Sequence, residues 1–402
     1  MTAATHVPSH VPEDLVVAWD HYDHAALQAD PVGCYDALRS RGRAFWSPLL
    51  GGFWVLTRYD DVRAVLQDPE VWSSRDSAIP AREVRLLPVN LDPPEHTKYR
   101  RIVNGPFSPT SVAGLEEDVR GVTRALMDEI EAGLADGDEV DLLEDFAKPL
   151  PSRIFCAIFG LPVDQWREFV GWTEQVLHSS DLEARAAATA QLRAYLAELI
   201  VARREAPRDD LLSLLVAAEV DGVRLTDAEL VDFAHTLFTA GLDTVTNAIA
   251  FVLRHLGEHP RERRRLVDEP DLAAAAVEEY LRLYGFVQLT RTATRDTTVG
   301  GVQVRRGERV LLPLASAGRD ETEFGPLDEV DLERHPNRHL AFGAGPHRCV
   351  GSHLARLELQ VVVQEWHARF PAYEVVPPGR PVGHGGGVAG LTEVRLRIER
   401  PA

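Results

Sequence analysis

The sequence predicts a mainly α-helical protein with minor β-structure, and three observations support this fold class. Apolar residues recur with a helical period along most of the chain, whereas the alternating segments typical of strands are few and short. Hydrophobic residues make up 45% of the 402 residues, which suffices for a large core. No internal repeat or low-complexity linker divides the chain. We therefore predict a flexible tail over residues 1–12 and a single domain over 13–402.

Local signals predict the individual elements in chain order. Residues 52–57 are rich in β-branched and aromatic side chains and predict a strand. A short helix should begin at Glu95, directly after the breaker Asp92-Pro93-Pro94. Segments 302–304 and 309–311 alternate like strands of one small sheet with its turn at Gly300-Gly301, and 392–398 alternate as a closing strand. Helical periodicity predicts the helices 115–134, 151–159, 162–178, 182–204, 272–284 and 354–370.

The strongest prediction is a long helix over residues 226–256. Thr226 and Glu229 fit a capping box at its start, and Gly257 and Pro260 follow its end. Roughly 30 residues correspond to about 45 Å of helix. The segment is apolar on most sides, which predicts a central and buried position.

Charge and cysteine content exclude several classes of protein. Lys and Arg total 43 against 62 for Asp and Glu, a formal charge of −19 that disfavours nucleic acid as a partner. We find neither a signal peptide nor a bilayer-spanning segment and expect a cytoplasmic protein with no membrane partner. Cys34, Cys156 and Cys349 are too few for a disulfide framework, and the first two lie among apolar residues as inert core thiols would.

Cys349 lies in a glycine-rich loop directly before the last predicted helix, in the segment Phe-Gly-Ala-Gly-Pro-His-Arg-Cys-Val-Gly over 342–351. Glycines let this backbone turn tightly against a flat ligand, and a helix N-terminus favours the thiolate. One cysteine cannot build a zinc or iron–sulfur site, but it suffices for haem, whose porphyrin supplies four ligands. Without the surrounding pattern, a structural cysteine would be the commoner interpretation.

The middle of the long helix carries Ala240-Gly241-Leu242-Asp243-Thr244. Glycine costs a helix about 1 kcal/mol relative to alanine, and Asp and Thr in an apolar helix risk unsatisfied polar groups. Such local violations often mark a functional site. The alternative is a tolerated kink in which Thr244 bonds to its own backbone.

The cysteine segment resembles the haem-binding signature of the cytochrome P-450 family, Phe-x-x-Gly-x-x-x-Cys-x-Gly, and the resemblance extends from about residue 31 to 398. It implies the P-450 fold, one haem b per chain with Cys349 as the iron ligand, and O2 as cosubstrate. The signature positions are Phe342, Gly345, Cys349 and Gly351, with Gly343 in the same loop. By the same resemblance, Ala240 and Gly241 border the haem, and the glycine opens the helix wall for dioxygen. Thr244 hydrogen-bonds the oxygen being activated, and Asp243 links it to solvent protons.

The resemblance also assigns supporting roles. Glu279 and Arg282 match the family's Glu-x-x-Arg, with Arg334 as the third member of a core triad; an ordinary i, i+3 surface pair is the alternative. Cationic groups matching the haem-propionate ligands stand at four positions, where they would make charge-assisted hydrogen bonds: His96, Arg100, Arg291 and His347. For His96 and Arg100, one helical turn apart, the alternative is a pair of solvated surface residues.

Several segments match the family's substrate-lining regions and are mostly small or apolar. The pattern Ser-Ser-x-x-x-x-Ile-Pro-x-Arg-Glu before Asp-Pro-Pro-Glu is similar to the bacterial camphor-hydroxylase branch. Residues 77–89 contain no Tyr or Trp, however, which argues against camphor itself. We expect a small apolar substrate, such as a terpenoid. The predicted lining residues are Val84, Leu86, Thr236, Thr239, Ala240, Val287, Gln288, Leu289, Gly387 and Val388.

The resemblance implies a monooxygenase that hydroxylates its substrate with electrons from a separate protein, because the sequence contains no cysteine cluster for an iron–sulfur centre. We expect an acidic ferredoxin, with its reductase, to dock over Cys349 on a face formed by Lys98, Arg101, Arg348 and Arg356. Two alternatives are a peroxide-driven haem-thiolate enzyme and a haem-based sensor or ligand-binding protein. The Asp243-Thr244 pair argues against both.

Overall fold

The computed structural model describes residues 7–399 except 76–77, 81–83, 135–138, 180, 328–329 and 381. The helices are α1 (Ala25–Ala29), α2 (Cys34–Arg41), α3 (Tyr59–Gln67), α4 (Glu95–Asn104), α5 (Pro109–Ala113), α6 (Glu116–Gly133), α7 (Pro149–Phe159), α8 (Trp166–His178), α9 (Leu182–Glu205), α10 (Leu211–Ala217), α11 (Asp227–Glu258), α12 (Pro260–Asp268), α13 (Ala273–Leu283), α14 (Leu314–Gly318), α15 (Glu321–Phe324) and α16 (Ser352–Arg369). The strands are β1 (Ala44–Ser47), β2 (Phe53–Leu56), β3 (Trp72–Ser73), β4 (Glu139–Asp141), β5 (Glu219–Val220), β6 (Val223–Arg224), β7 (Gln288–Ala293), β8 (Thr297–Val299), β9 (Val302–Val304), β10 (Arg309–Pro313), β11 (Tyr373–Val376), β12 (Gly383–His384), β13 (Gly390–Leu391) and β14 (Arg395–Ile398).

The chain forms two compact units. The first, called the sheet unit below, consists of Met1–Thr97, Glu278–Cys349 and Pro381–Gly390. The second, called the helical unit, consists of Lys98–Val277, Val350–Arg380 and Leu391–Ala402. A single domain over 13–402 stays a prediction. Of the predicted tail, residues 1–6 lie outside the described residues, while Val11 is buried in the core of the sheet unit.

The sheet unit is built on a five-stranded sheet with strand order β1-β2-β10-β7-β3. Strand β10 runs parallel to β2 and antiparallel to β7, and its last four residues are buried. The prediction that 302–304 and 309–311 belong to one small sheet is wrong. Gly300 and Gly301, with φ of +58° and +80°, turn β8 back onto β9 in a separate hairpin, whereas 309–311 lie in the large sheet.

The helical unit surrounds α11, against which α7, α8, α9 and α16 pack. The predicted capping box is confirmed: the side chains of Thr226 and Glu229 each bond the other's backbone N–H. A small sheet of order β11-β14-β4 completes the unit, and the predicted closing strand begins only at Arg395. Among the described residues, α11 is the one helix long and apolar enough to cross a membrane, and it is mostly buried inside the protein.

Candidate functional site

The cysteine loop of the sheet unit is a tight turn that leaves its thiol accessible. The Cys349 N–H donates to Phe342 O at 2.9 Å and closes the loop, three residues before α16 begins. Gly345 has φ +70°, and a Cβ there would lie 2.2 Å from Leu66 O, so no larger residue fits. Among the three cysteines, all in the described part of the chain, only Cys349 is exposed. Burial raises the pKa of Cys156 to about 12 and also raises that of Cys34, so both stay protonated.

The sheet unit carries three of the cationic groups predicted to bind an anion, and two of them lie side by side. The rings of His96 and His347 lie 4.0 Å apart between centroids, and His96 is buried. Arg291 is 6% exposed, and burial lowers its pKa to about 10. Its Nη1 donates to Thr290 O at 2.7 Å, and within the described residues it forms no ion pair. Asp92 attracts Arg291, but burial outweighs this attraction. A buried arginine with only partial compensation is costly unless another anionic group completes it, which fits a propionate ligand. Arg100 follows His96 by one turn of α4 and is half-buried.

The long helix has one accessible strip in an otherwise buried stretch. Between residues 230 and 253, all of them described, only Ala240, Gly241 and Thr244 are not buried. The Thr244 hydroxyl donates to Ala240 O at 3.0 Å, so the backbone bond foreseen as an alternative does form. Because this bond uses the hydroxyl proton, the Thr244 oxygen is left as an acceptor on the strip.

Gly241 has a packing role that the sequence did not reveal. A Cβ at this position would lie 2.3 Å from Cδ2 of the Phe155 ring on α7, so glycine allows α7 and α11 to approach closely. The missing Cβ therefore faces Phe155. On the side where a Cβ would project, the space is filled by the aromatic ring. That Gly241 opens the helix wall toward dioxygen stays a prediction.

Asp243 has a partner that sequence reasoning missed. Its Oδ1 lies 3.0 Å from Nε2 of His178, the last residue of α8, and its Oδ2 is buried with no hydrogen-bond partner among the described residues. The Asp243 side chain is 9% exposed and that of His178 is 21% exposed, so the histidine lies nearer to solvent. No local signal could reveal this pair, because 65 positions separate the two residues.

The predicted triad of Glu279, Arg282 and Arg334 forms in the core of the sheet unit. Arg282 makes a bidentate pair with Glu279 at 2.7 and 2.8 Å, and Arg334 Nε donates to Glu279 Oε2 at 3.0 Å. The side chain of Glu279 is fully buried and that of Arg282 is 2% exposed. Burial acts to raise the pKa of Glu279, but the hydrogen bonds and charges of the two arginines and the Asp331 N–H outweigh it, and the pKa is lowered.

Replacing Glu279 with glutamine should lower the free energy of unfolding by about 3–5 kcal/mol at neutral pH, because Arg282 is left buried without a carboxylate. A lowered carboxyl pKa stabilises the fold above its ordinary value of 4.5. This contribution disappears as the pH falls through the lowered pKa. Urea unfolding at several pH values should show the difference between wild type and Glu279→Gln shrinking below pH 4.5. Glu278→Gln, at a partly exposed neighbour, is the control and should change stability much less.

A cavity of about 590 Å³ lies in the sheet unit and includes several predicted substrate-lining residues. The backbone pairs Gln288 N with Gly387 O at 2.9 Å, and Val287 bridges Val388, so the two predicted segments adjoin. A Cβ at Gly343 would touch Leu289 at 3.4 Å. His21 and Tyr22 also line the cavity, which the sequence did not predict. Ser77 and residues 81–83, which belong to a predicted lining segment, lie outside the described residues. The lining includes the predicted residues Val84, Leu86, Gln288 and Gly387. It also includes Tyr22, Arg75, Asn90 and Glu95, which were not predicted.

Thr236 and Thr239, the other predicted polar lining residues, lie on α11 in the helical unit. Thr236 donates to Asp232 O at 2.9 Å, and Thr239 donates to His235 O at 3.0 Å. Both side chains belong to buried residues, and both hydroxyl protons are used within the helix. As donors to a substrate they are therefore weaker than the sequence indicates.

Comparison with known proteins identifies the family. The Cytochrome P450 family model matches residues 175–371. Probable cytochrome P450 127A1 of Sinorhizobium fredii is 35% identical over 97% of this chain and 96% of its own length. The chain belongs to the cytochrome P450 family. Mycinamicin IV hydroxylase/epoxidase of Micromonospora griseorubida is 36% identical over 81% of this chain and 84% of its own length. The crystal structure of cytochrome P450 CYP101C1 superposes with a TM-score of 0.89 at 31% identity, covering 98% of this chain and 100% of that chain.

As a P450, the protein is an oxidoreductase that binds haem iron and uses O2 as cosubstrate. The residues present fit this group. In the sheet unit, Cys349 offers an exposed thiol in a loop where Gly345 leaves no room for a side chain, and buried Arg291 suits a carboxylate. In the helical unit, the accessible strip of α11 suits a flat neighbour at the middle of the helix. The mainly α-helical fold predicted from the sequence is confirmed.

Proposed function

We propose that this P450 hydroxylates a small apolar substrate, such as a terpenoid, in the cytoplasm, with electrons from a separate ferredoxin and its reductase. The overall reaction is RH + O2 + two electrons + two protons giving ROH + water. When bound, haem would supply the iron at which O2 is activated, and Cys349 would supply the thiolate that favours O–O cleavage. The observation that carries the proposal is the pair Asp243 and Thr244, an acid bonded to a histidine beside an accessible hydroxyl.

Thr244, Asp243 and His178 have different roles in delivering protons to the reaction. Thr244, whose proton is engaged with Ala240 O, offers an acceptor that holds a proton donor in place on the strip. Asp243 is the adjacent acid, and His178 holds its Oδ1 at 3.0 Å. Because the His178 side chain is more exposed than that of Asp243, it extends the chain of exchangeable groups toward solvent. In this proposal His178 both positions Asp243 and passes protons to it.

The size and lining of the cavity favour a substrate of modest size that carries an oxygen-containing group. Its volume of about 590 Å³ lies within the usual range for small-molecule sites. Val84 and Leu86 supply apolar surface, whereas Tyr22 and Asn90 supply polar groups. The lining also includes the charged residues Arg75, Arg85 and Glu95, of which Arg75 and Glu95 pair with each other at 3.2 Å. Solved relatives include CYP109E1 from Bacillus megaterium in complex with testosterone, 30% identical with a TM-score of 0.83 over 92% of this chain and 98% of that chain. A compact polycyclic compound matches both the size of the cavity and the ligand bound to this relative.

Replacing Thr244 with alanine should uncouple the enzyme. The variant should bind substrate and consume NADH at near wild-type rates. Much of the flux should leak to hydrogen peroxide, because the acceptor that holds the proton donor is gone. Peroxide and product, each measured per NADH, report the coupling. Thr246→Ala is the matched control, since Thr246 is buried on the same helix and bonds Leu242 O. Full coupling in Thr244→Ala would show that this hydroxyl only packs.

Reduction by the ferredoxin should slow steeply as salt rises, because exposed charges are screened beyond about 8 Å at physiological ionic strength. Lys98 is already paired with Asp221, so Arg101 and Arg356 carry more of the predicted attraction. Arg101→Glu and Arg356→Glu should each slow reduction without altering the haem spectrum or substrate affinity. Arg380→Glu, at another exposed arginine, controls for net charge. Salt-independent reduction together with wild-type rates in both variants would exclude this docking surface.

A ligand library tests the proposed function and its alternatives. Compounds that shift the haem spectrum from low to high spin are tested for NADH consumption with ferredoxin and reductase, and separately with hydrogen peroxide. Hydroxylated product from the NADH system supports the proposal. Product formed only with peroxide indicates a peroxide-driven enzyme. Tight binding with no turnover in either system indicates a sensor or ligand-binding protein.

A further inference from the structure

Two histidines and a glutamate meet where α11 ends and α12 begins. His255 lies in the last turn of α11, His259 caps its end, and Glu262 lies in the first turn of α12. One ligand atom from each lies within 4.8 Å of those of the other two. Imidazole nitrogens and a carboxylate oxygen are common zinc ligands. We propose that this cluster binds a divalent transition-metal ion of the zinc class and clamps the end of α11 to α12.

A backbone hydrogen bond fixes the tautomer of His259. Its Nδ1 lies 2.8 Å from His255 O, and a carbonyl oxygen only accepts, so Nδ1 carries the proton. The lone pair of Nε2 is therefore available for a metal. A hydrogen bond from the second ring nitrogen to a carbonyl is the arrangement that usually orients metal-binding histidines. His259 is exposed, which gives an ion a route from solvent.

His255 and Glu262 already face each other as two ligands would. The His255 Nε2 lies 2.9 Å from Glu262 Oε2, where a metal can replace the shared proton. Tetrahedral ligands about 2.1 Å from zinc lie about 3.4 Å from one another, so the ligand atoms must move by up to about 1.4 Å. The His259 ring stacks on that of His255 with centroids 3.9 Å apart and planes 12° from parallel, so it must also turn for both nitrogen lone pairs to meet one ion. The buried His255 is fixed by packing, whereas the side chains of His259 and Glu262 reach solvent and can adjust. Water supplies the fourth ligand.

A basic segment follows the cluster, but three of the nearby arginines make contacts with residues outside it. Arg263 donates to Leu256 O at 3.1 Å and lies over the Tyr373 ring at 4.7 Å. Arg265 pairs with Glu269, and Arg254 pairs with Glu258. These contacts lessen the repulsion that a divalent ion would otherwise meet at the start of α12.

Zinc binding to the untagged holoprotein tests the site, with a chromophoric chelator as competitor and thermal unfolding as a second readout. Wild type should bind one equivalent of zinc and unfold at a higher temperature when zinc is present. His259→Ala and Glu262→Gln should each weaken binding about tenfold or more and abolish the zinc-dependent shift. His335→Ala removes another exposed histidine and serves as the matched control.

The outcomes separate a metal site from a simple helix junction. Loss of one zinc equivalent in both cluster variants, with wild-type binding in His335→Ala, supports the proposal. Absence of zinc binding to wild type, or equal affinity in wild type and both cluster variants, overturns it. In that case the His255–Glu262 contact is only a hydrogen bond that joins two helices. Because neither readout uses turnover, the result is independent of the proposed hydroxylation.

Discussion

Replacing Cys349 with serine should remove the thiolate signature and reduce NADH-driven oxygenation to background. Serine keeps the shape of the loop, but its hydroxyl stays protonated where a thiol ionises, and it is a poor ligand for haem iron. The reduced carbon monoxide complex of the wild type should show the strongly red-shifted Soret band of sulfur ligation. The variant should lose that shift.

The matched control for this change is Cys34→Ser, because burial raises the pKa of Cys34 and keeps that thiol out of ligand chemistry. It should leave the spectrum of the carbon monoxide complex unchanged. An unchanged Soret band in Cys349→Ser would show that another residue binds the iron. The assignment of the glycine-rich loop would then be wrong, even though the family is established.

Asp243→Asn should slow turnover by about a hundredfold, within the range typical for loss of a proton-transfer group. Asparagine preserves the size of the side chain and an oxygen that can accept from His178 Nε2 at the observed 3.0 Å. What it lacks is an exchangeable acid next to Thr244. Single-turnover rates in H2O and D2O should show a larger solvent isotope effect in the variant, while substrate affinity and the haem spectrum stay the same.

Asp232→Asn is the control for charge on the same helix. Asp232 is buried on α11 and pairs with Arg193 at 2.8 Å, away from the accessible strip. It should leave the turnover rate near that of wild type. His178→Gln should give an intermediate rate, since glutamine can hold Asp243 but cannot pass on a proton. Wild-type turnover in Asp243→Asn would remove Asp243 from the proton route.

The sequence predicted those features whose signals lie within a single segment. The helix over 226–256 was found because its capping box and apolar periodicity are local, and it appears as Asp227–Glu258. The cysteine loop was found because its glycines and Cys349 lie within ten residues. The triad was predicted by family resemblance rather than by spacing alone, since Arg334 is 55 positions from Glu279.

Contacts between distant segments escaped prediction. His178 meets Asp243, and Tyr22 reaches the cavity, through packing that no periodicity encodes. Phe155 lies where a Cβ of Gly241 would project, so this glycine also allows close packing, which its sequence context does not indicate. The sequence predicts Lys98 as an available cation, but the hairpin of β5 and β6 supplies Asp221 as its partner. Alternation in 309–311 predicted a strand correctly and its sheet incorrectly, because alternation does not specify the neighbouring strand.

Isotope labelling with ¹⁸O2 tests the central claim most directly. The holoprotein, a ferredoxin, its reductase and NADH are incubated under ¹⁸O2 with a compound that shifts the haem to high spin. Proposed monooxygenation predicts product that carries one ¹⁸O atom, labelled water in equal amount and one NADH consumed per product. Product whose new oxygen comes from solvent, or product formed without O2 when peroxide is supplied and none with NADH, would contradict the account.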